Sequence, residues 1–156
     1  VKEEQKGSEN FIQGFVELVK QKGRESCTNL KDFSSLKVLG TGTYGKVMLV
    51  RHLQTQQLYA MKVLKKDKVR KKNQVERTKT ERRVLERINN PFIVKLKYAF
   101  QDTRKLYFVL DYCCGGELFF YLTHLRRFRE EAACFYASNI LLALQCLHDE
   151  NIIYRE

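Results

Sequence analysis

The residues with chemistry to offer gather in the first half of the chain. Gly40, Gly42 and Gly45 stand in the run G-T-G-T-Y-G-K-V between two β-rich stretches, and Lys62 follows in the next apolar run, L-Y-A-M-K-V-L. Glycines remove side chains from a turn, so its backbone N–H groups can approach an anion closely. Such a set can close a flexible flap over a polyphosphate and reach it with one ammonium from the neighbouring strand. Glu81 supplies a counter-charge: Val84, Leu85 and Ile88 stand three, four and seven residues after it, so it points with the apolar face of a helix. A buried carboxylate needs a partner, because an unpaired one costs several kcal/mol. Lys62, 19 residues earlier, is the cation at hand. The residues alone also allow Glu81 to sit at the edge of the stripe and pair with Arg77 or Arg82 in solvent.

Two other phosphate motifs share this glycine spacing. A dinucleotide site needs the third glycine to open a helix and an acidic residue about 20 positions on. Gly45 is instead followed by K-V-M-L-V, which reads as a strand. Gly40 to Lys46 also fits G-x-x-x-x-G-K, but the next residue is Val47, and valine cannot ligate the magnesium that the Ser or Thr of a P-loop holds. The arrangement that remains is strand, glycine turn, strand, lysine.

The elements that must position these groups follow from the pattern of the chain. Runs at about 33–41, 46–52 and 57–64 read as a β-meander. A basic segment comes next, then a helix from about Gln74 to Asn89 that Asn73 can cap, with Glu76 three residues on, and Pro91 ends it. Strands at about 94–100 and 106–112 are joined by the polar turn Q-D-T-R-K. After Gly115 and Gly116 the pattern is helical, near 117–123 and 130–148. Ala132, Phe135, Tyr136, Ile140, Ala143, Leu144 and Leu147 form the stripe that the longer helix is expected to bury. Ahead of all this, residues 1–31 form a charged extension in which Ser8 caps an amphipathic piece carrying Phe11, Ile12, Phe15, Val16 and Val19.

Composition bounds the function. The 156 residues carry a net charge of +11 and 44% hydrophobic residues, which suits a globular chain with an anionic partner. Ten Lys or Arg lie between Lys65 and Arg83 against three acids, but no aromatics interleave them, so nucleic-acid stacking is not supported. The five cysteines, Cys27, Cys113, Cys114, Cys134 and Cys146, lack C-x-x-C pairs and fit free thiols of a reducing cytosol or nucleus. No apolar run approaches the roughly 20 residues of a membrane span. The chain opens on Val1 and closes on N-I-I-Y-R-E, so both ends read as cuts in a longer protein.

On these motifs the sequence resembles a protein kinase domain, and more closely the basophilic AGC-type serine/threonine group that includes the cyclic-nucleotide-dependent, ribosomal-protein-S6 and mitogen- and stress-activated kinases. G-T-G-T-Y-G-K-V stands for the family's glycine loop and Y-A-M-K for its lysine strand, and the resemblance runs from about Asp32 to Arg155. It implies an α+β fold: a five-stranded antiparallel small lobe with an inserted helix, residues 32–112, and the first helices of an incomplete helical lobe, 113–156. It implies ATP as ligand, with Gly40, Thr41, Gly42, Thr43, Tyr44, Gly45 and Lys46 as the flap and Lys62 on the α- and β-phosphates, oriented by Glu81. Leu39, Val47 and Ala60 would roof the adenine, and Leu110 would guard the rear. Asp111 and Cys113 would offer the backbone groups that bind the adenine edge, Glu117 would meet the ribose, and Leu118 would close the pocket from below. Cys113 and Cys114 are read as inert lip residues.

The resemblance further implies protein substrates with basic motifs, and a groove beside the inserted helix that docks a phosphorylated hydrophobic-motif tail. The catalytic carboxylate and both Mg2+ ligands of the family come from H/Y-R-D-x-K-x-x-N and D-F-G. Here Tyr154 and Arg155 match, and Glu156 stands where the family has Asp. No residue of this chain is therefore expected to bind magnesium, and the stripe of the long helix, which would be buried against the rest of the helical lobe, is expected to be exposed in this chain alone. The runner-up reading is a catalytically dead kinase-like module that holds nucleotide or partners only. A third is an anion-binding domain in which the glycine loop is merely a turn.

Overall fold

The structure, a computed structural model, describes residues 28–71 and 75–154. The amphipathic piece after Ser8, Cys27, the Asn73 cap, Arg155 and Glu156 lie outside them. The described chain opens on a 3-10 turn, Leu30–Asp32, closed by a reciprocal cap. Lys31 N–H donates to the Asn29 side chain at 2.9 Å, and Asn29 N–H donates to the Asp32 carboxylate at 2.7 Å. Five strands follow: β1 (Phe33–Thr41), β2 (Gly45–His52), β3 (Leu58–Lys65), β4 (Leu96–Gln101) and β5 (Lys105–Asp111). They form one five-stranded antiparallel sheet, as expected from the sequence, and its strand order is β1-β2-β3-β5-β4.

Alternation along the strands divides the apolar side chains between two faces. On one face Phe33, Val50, Tyr59, Met61, Val63, Tyr107 and Val109 form a buried cluster. Phe33 of β1 lies 5.7 Å from the ring of Tyr98 and 5.8 Å from that of Phe100, both on β4. The first and last strands of the sheet therefore touch through aromatic rings. The sheet curls round this cluster, which fixes the strands firmly.

The second face meets the helices. Leu64, Ala99, Leu106 and Phe108 pack with Val69 of α1 (Lys66–Lys71), and Val75, the first residue of α2 (Val75–Arg87), packs against the same cluster. The sequence pattern reads Lys66–Lys71 only as a basic segment. Its one apolar residue, Val69, is 3% exposed and is what makes the segment a helical turn against the sheet. A second, polar anchor holds its start: Lys66 Nζ donates to the Asp102 carbonyl at 2.6 Å and Lys66 N–H to Arg104 O at 3.0 Å.

Helices α3 (Leu118–Leu125) and α4 (Glu130–Asp149) complete the described chain. Of the seven-residue stripe expected to be buried on α4, Leu147 alone is buried, and Phe135 is 61% exposed. Among the described residues Ala132, Ala143 and Leu144 are half-buried, while Phe135, Tyr136 and Ile140 are exposed. Arg87 of α2 reaches Glu150 at 3.0 Å and ties the end of α4 to the small-lobe helix.

Candidate functional site

The glycine run forms the tip of the β1–β2 hairpin. Gly42 N–H donates to Gly45 O at 2.9 Å and Gly45 N–H returns to Gly42 O at 3.4 Å, leaving Thr43 and Tyr44 as the two turn residues. Thr41 pairs with Lys46 and Gly40 with Val47, and the register shifts between Val38 and Gly40, so Leu39 sits in a bulge. The three glycines do different work. A β-carbon on Gly40 or Gly42 would meet nothing within 4 Å, so both leave open space along the flap. A β-carbon on Gly45 would lie 1.8 Å from the Val63 carbonyl oxygen, so glycine is what lets β2 approach β3 there.

Lys62 Nζ and Glu81 Oε1 stand 2.5 Å apart, joining β3 to α2. The cross-strand register places Lys62 beside Val47 and Phe108, and Ala60 beside Leu49 and Leu110. Val47, Ala60, Lys62 and Leu110 therefore share one face of the sheet, the face from which the flap extends. The structure thus brings Lys62, Glu81, Val47, Ala60 and Leu110 together.

The expectation that Glu81 is buried is corrected. The side chains of Lys62 and Glu81 are 31% and 39% exposed. The sheet-facing side of α2 passes through Thr78, Arg82 and Ile88, while Val84 and Leu85 are half-buried. Arg82, an alternative solvent partner for Glu81 in the sequence, is itself buried and held by Glu86 at 2.7 Å. A half-exposed pair contributes at most about 1 kcal/mol. Its importance is geometric: it fixes where the ammonium points.

Asp111 is the last residue of β5, and the chain leaves the sheet after it. Asp111 N–H donates to Lys95 O at 3.2 Å, and its carboxylate meets Lys97 at 3.3 Å. Cys113 and Cys114 are exposed thiols on a turn closed by Gly116 N–H donating to Cys113 O at 3.3 Å, and Gly116 adopts a φ of 78° that favours glycine. Glu117 stands exposed at the start of α3, and among the described residues no hydrogen bond or ion pair joins it to the flap or to Lys62. Leu118 is half-buried and Leu39 exposed.

Sequence reasoning missed the polar hub at Asp102. Its carboxylate accepts from Arg104 N–H at 2.7 Å, Lys105 N–H at 2.6 Å and the Tyr107 hydroxyl at 2.7 Å. Burial disfavours the charged form, but these hydrogen bonds outweigh it and hold the Asp102 carboxyl below the ordinary carboxylate range. Burial, the bond to Asp102 and the charge of Asp102 push the Tyr107 hydroxyl well above its usual range. The Q-D-T-R-K turn, with Asp two residues before Arg104, carried the signal. Tyr44 also departs from its expected place: it is half-buried against the cluster of Leu64, Val69 and Phe108 instead of lying in the open turn.

Comparison with known proteins gives a consistent result. The protein kinase domain family matches residues 33–156. A RAC-beta serine/threonine-protein kinase of Homo sapiens is 47% identical over 141 residues, 90% of this chain and 29% of its own length. A RAC serine/threonine-protein kinase of Drosophila melanogaster is 50% identical over 81% of this chain and 21% of its own length. Serine/threonine-protein kinase AtPK2/AtPK19 of Arabidopsis thaliana is 48% identical over 81% of this chain and 27% of its length. The chain spans less than a third of these curated relatives.

Proposed function

This chain belongs to the protein kinase family, and on that premise we propose that it is the ATP-binding part of an AGC-type serine/threonine kinase, which transfers the γ-phosphoryl of ATP to Ser or Thr of proteins carrying basic motifs. The observation that carries the reading is the 2.5 Å contact of Lys62 with Glu81 on the sheet face shared with Val47, Ala60 and Leu110. Relatives named as serine/threonine-protein kinases favour an enzyme over a module that only holds nucleotide.

Each residue then has a physical task. Gly40 and Gly42 leave the flap backbone bare, so its amides can close on phosphate oxygens without a side chain intervening. Lys62 neutralises the α- and β-phosphates, and Glu81 holds its ammonium in one place, so little orientation is lost on binding. Val47, Ala60 and Leu110, with Leu39 at the bulge, line the adenine, and the small side chain of Ala60 leaves room for a flat ring. The Asp111 carbonyl and Cys113 amide bind the adenine edge. Glu117 takes the ribose.

Protein kinases use magnesium with ATP. The described residues contain no group of three or more His, Cys, Asp or Glu placed to hold a metal ion. The phosphorylated-tail groove would lie beside α2, where exposed Arg70, Arg77 and Arg83 supply positive charge. Cytosol or nucleus is the compartment in which such a kinase meets ATP and in which exposed Cys113 and Cys114 stay reduced.

The test is thermal stabilisation of the chain by ATP, with Lys62→Met as control. Ligand at about 100 times its Kd should add about 2.7 kcal/mol. Lys62→Met should abolish most of that shift while leaving the melting point without nucleotide within a few degrees. Wild-type chain that ATP does not stabilise, or a shift that survives Lys62→Met, overturns the proposal.

A further inference from the structure

We propose that Tyr44 is a positioning residue that ties the tip of the glycine flap to helices α1 and α2, so that flap closure and the placement of Glu81 are coupled; this takes the nucleotide-site reading above as its premise.

The tip of a two-residue hairpin ordinarily stands in water. Here Thr41, Gly42, Thr43 and Lys46 do, but Tyr44 is half-buried. Its side chain packs against the buried cluster that contains Leu64, Val69 and Phe108. Phe108 is the cross-strand neighbour of Lys62, and Val69 is the buried residue of α1. Val75 packs against that same cluster. Because Val75 opens α2, Glu81 lies six residues further along one helix, about 9 Å away at 1.5 Å per residue. A helix moves as a rod over that distance, so a shift at Val75 is a shift at Glu81.

Two further bonds draw the tip the same way. Lys65 N–H donates to Tyr44 O at 3.0 Å, and Lys68 Nζ of α1 donates to Thr43 O at 3.3 Å. The lysine contact is exposed and contributes little. The ring is the one large apolar group at the tip, so it supplies most of the holding force. Bare glycines at Gly40 and Gly42 leave the rest of the flap free to move about that anchor.

A seated tip spares the nucleotide part of the cost of ordering the flap. It also makes the flap sense α2: if the helix swings away with Glu81, the surface under Tyr44 opens, and the flap loses its seat as Lys62 loses its partner.

Hydrogen exchange on the full chain without nucleotide tests the coupling directly. In Tyr44→Ser, amides at 42–46 and at 75–82 should both exchange at least several-fold faster, while 106–109 in β5 stay unchanged as the internal reference. Tyr44→Phe, which keeps the ring, should exchange closer to wild type than Tyr44→Ser. Val75→Ser, which perturbs the helix side, should in turn speed the flap amides. ATP affinity should fall about three- to tenfold in Tyr44→Ser, the loss expected for one seated aromatic ring. Faster exchange at 42–46 alone in Tyr44→Ser, or a flap unaffected by Val75→Ser, overturns the coupling. Exchange is read without nucleotide, so a wild-type chain that does not bind ATP sinks the nucleotide-site reading while the coupling is judged separately.

Discussion

Gly45→Ala should unfold the small lobe more readily than any other glycine substitution in the flap. The added β-carbon would stand 1.8 Å from Val63 O, 2.9 Å from Val63 C and 3.1 Å from Leu64 Cα. All three are main-chain atoms of β3, so no side chain can rotate away. Relief to an ordinary contact needs a displacement of well over an ångström between strands that normally lie about 4.8 Å apart. Such a shift strains the pairing of Gly45 with Leu64 and the bond from Lys65 N–H to Tyr44 O. Overpacking costs about 1–3 kcal/mol and a weakened ladder bond about 1 kcal/mol more, so the expected loss is about 2–4 kcal/mol. At about 3 °C per kcal/mol for a chain of this size, the melting point falls by roughly 6–12 °C. Gly40→Ala and Gly42→Ala meet open space and no left-handed backbone, so they should melt within about 2 °C of wild type. Their cost should appear instead as weaker ATP binding, because the new methyl groups stand on the flap. Thermal melts of the three variants with and without ATP check this. Gly45→Ala melting like wild type, or Gly40→Ala destabilising as much, would refute the reasoning.

Arg82→Met should destabilise the chain by about 1–3 kcal/mol, since Glu86 is left largely buried without its guanidinium, and Glu86→Leu added to it should recover much of the loss in denaturant titration. Asp102 holds its proton less tightly folded than unfolded, so it stabilises the fold above its unfolded pKa and that stabilisation is lost as pH falls through its folded pKa. Asp102→Asn should therefore lower stability at neutral pH and flatten the loss of stability below about pH 4, read from melts across pH. The exposed apolar side chains of α4, among them Phe135, Ile140 and Leu141, should make the isolated chain bind a hydrophobic dye and associate as concentration rises. Ile140→Lys with Leu141→Glu should suppress both, and a monodisperse wild-type chain at high concentration would count against this.

Local rules make most of the frame readable. The β1 range, 33–41, coincides with the observed strand, and the other four strands move by no more than two residues at either end. Period-two alternation and turn residues are local properties, and they set strand position regardless of what packs above. The Lys62–Glu81 pair is legible from the glycine loop, the lysine strand and the 19-residue spacing taken together, since the helix phase that suggested a buried Glu81 is not the observed one. What escapes depends on contacts between elements. The segment K-D-K-V-R-K has one apolar residue, too few to show a period, and only the pocket formed by Leu64 and Leu106 makes Val69 an anchor. The phase of α2 is hidden for the same reason: Val84 and Leu85 define an apolar stripe, but the sheet meets the helix through Thr78 and Arg82. Gly45 looks like one of three equivalent phosphate-loop glycines, and its contact with Val63 belongs to sheet packing.

The two halves of the central ion pair are held with unequal firmness. Lys62 rises from a strand paired on both sides, within a sheet curled closed by Phe33, Tyr98 and Phe100, so its backbone cannot shift without breaking two ladders. Glu81 rides on α2, whose buried side includes Thr78 and the ion-paired Arg82 and whose first residue, Val75, packs against the sheet cluster. A half-exposed pair worth at most about 1 kcal/mol cannot hold that helix in place by itself. Lys62 is therefore a fixed post and Glu81 a movable one. Val75, packed against the same cluster as Tyr44, anchors the first turn of α2, so the packing there sets how often the ammonium is aimed. A phosphate site built this way would have one rigid element and be tuned by the helix beside it.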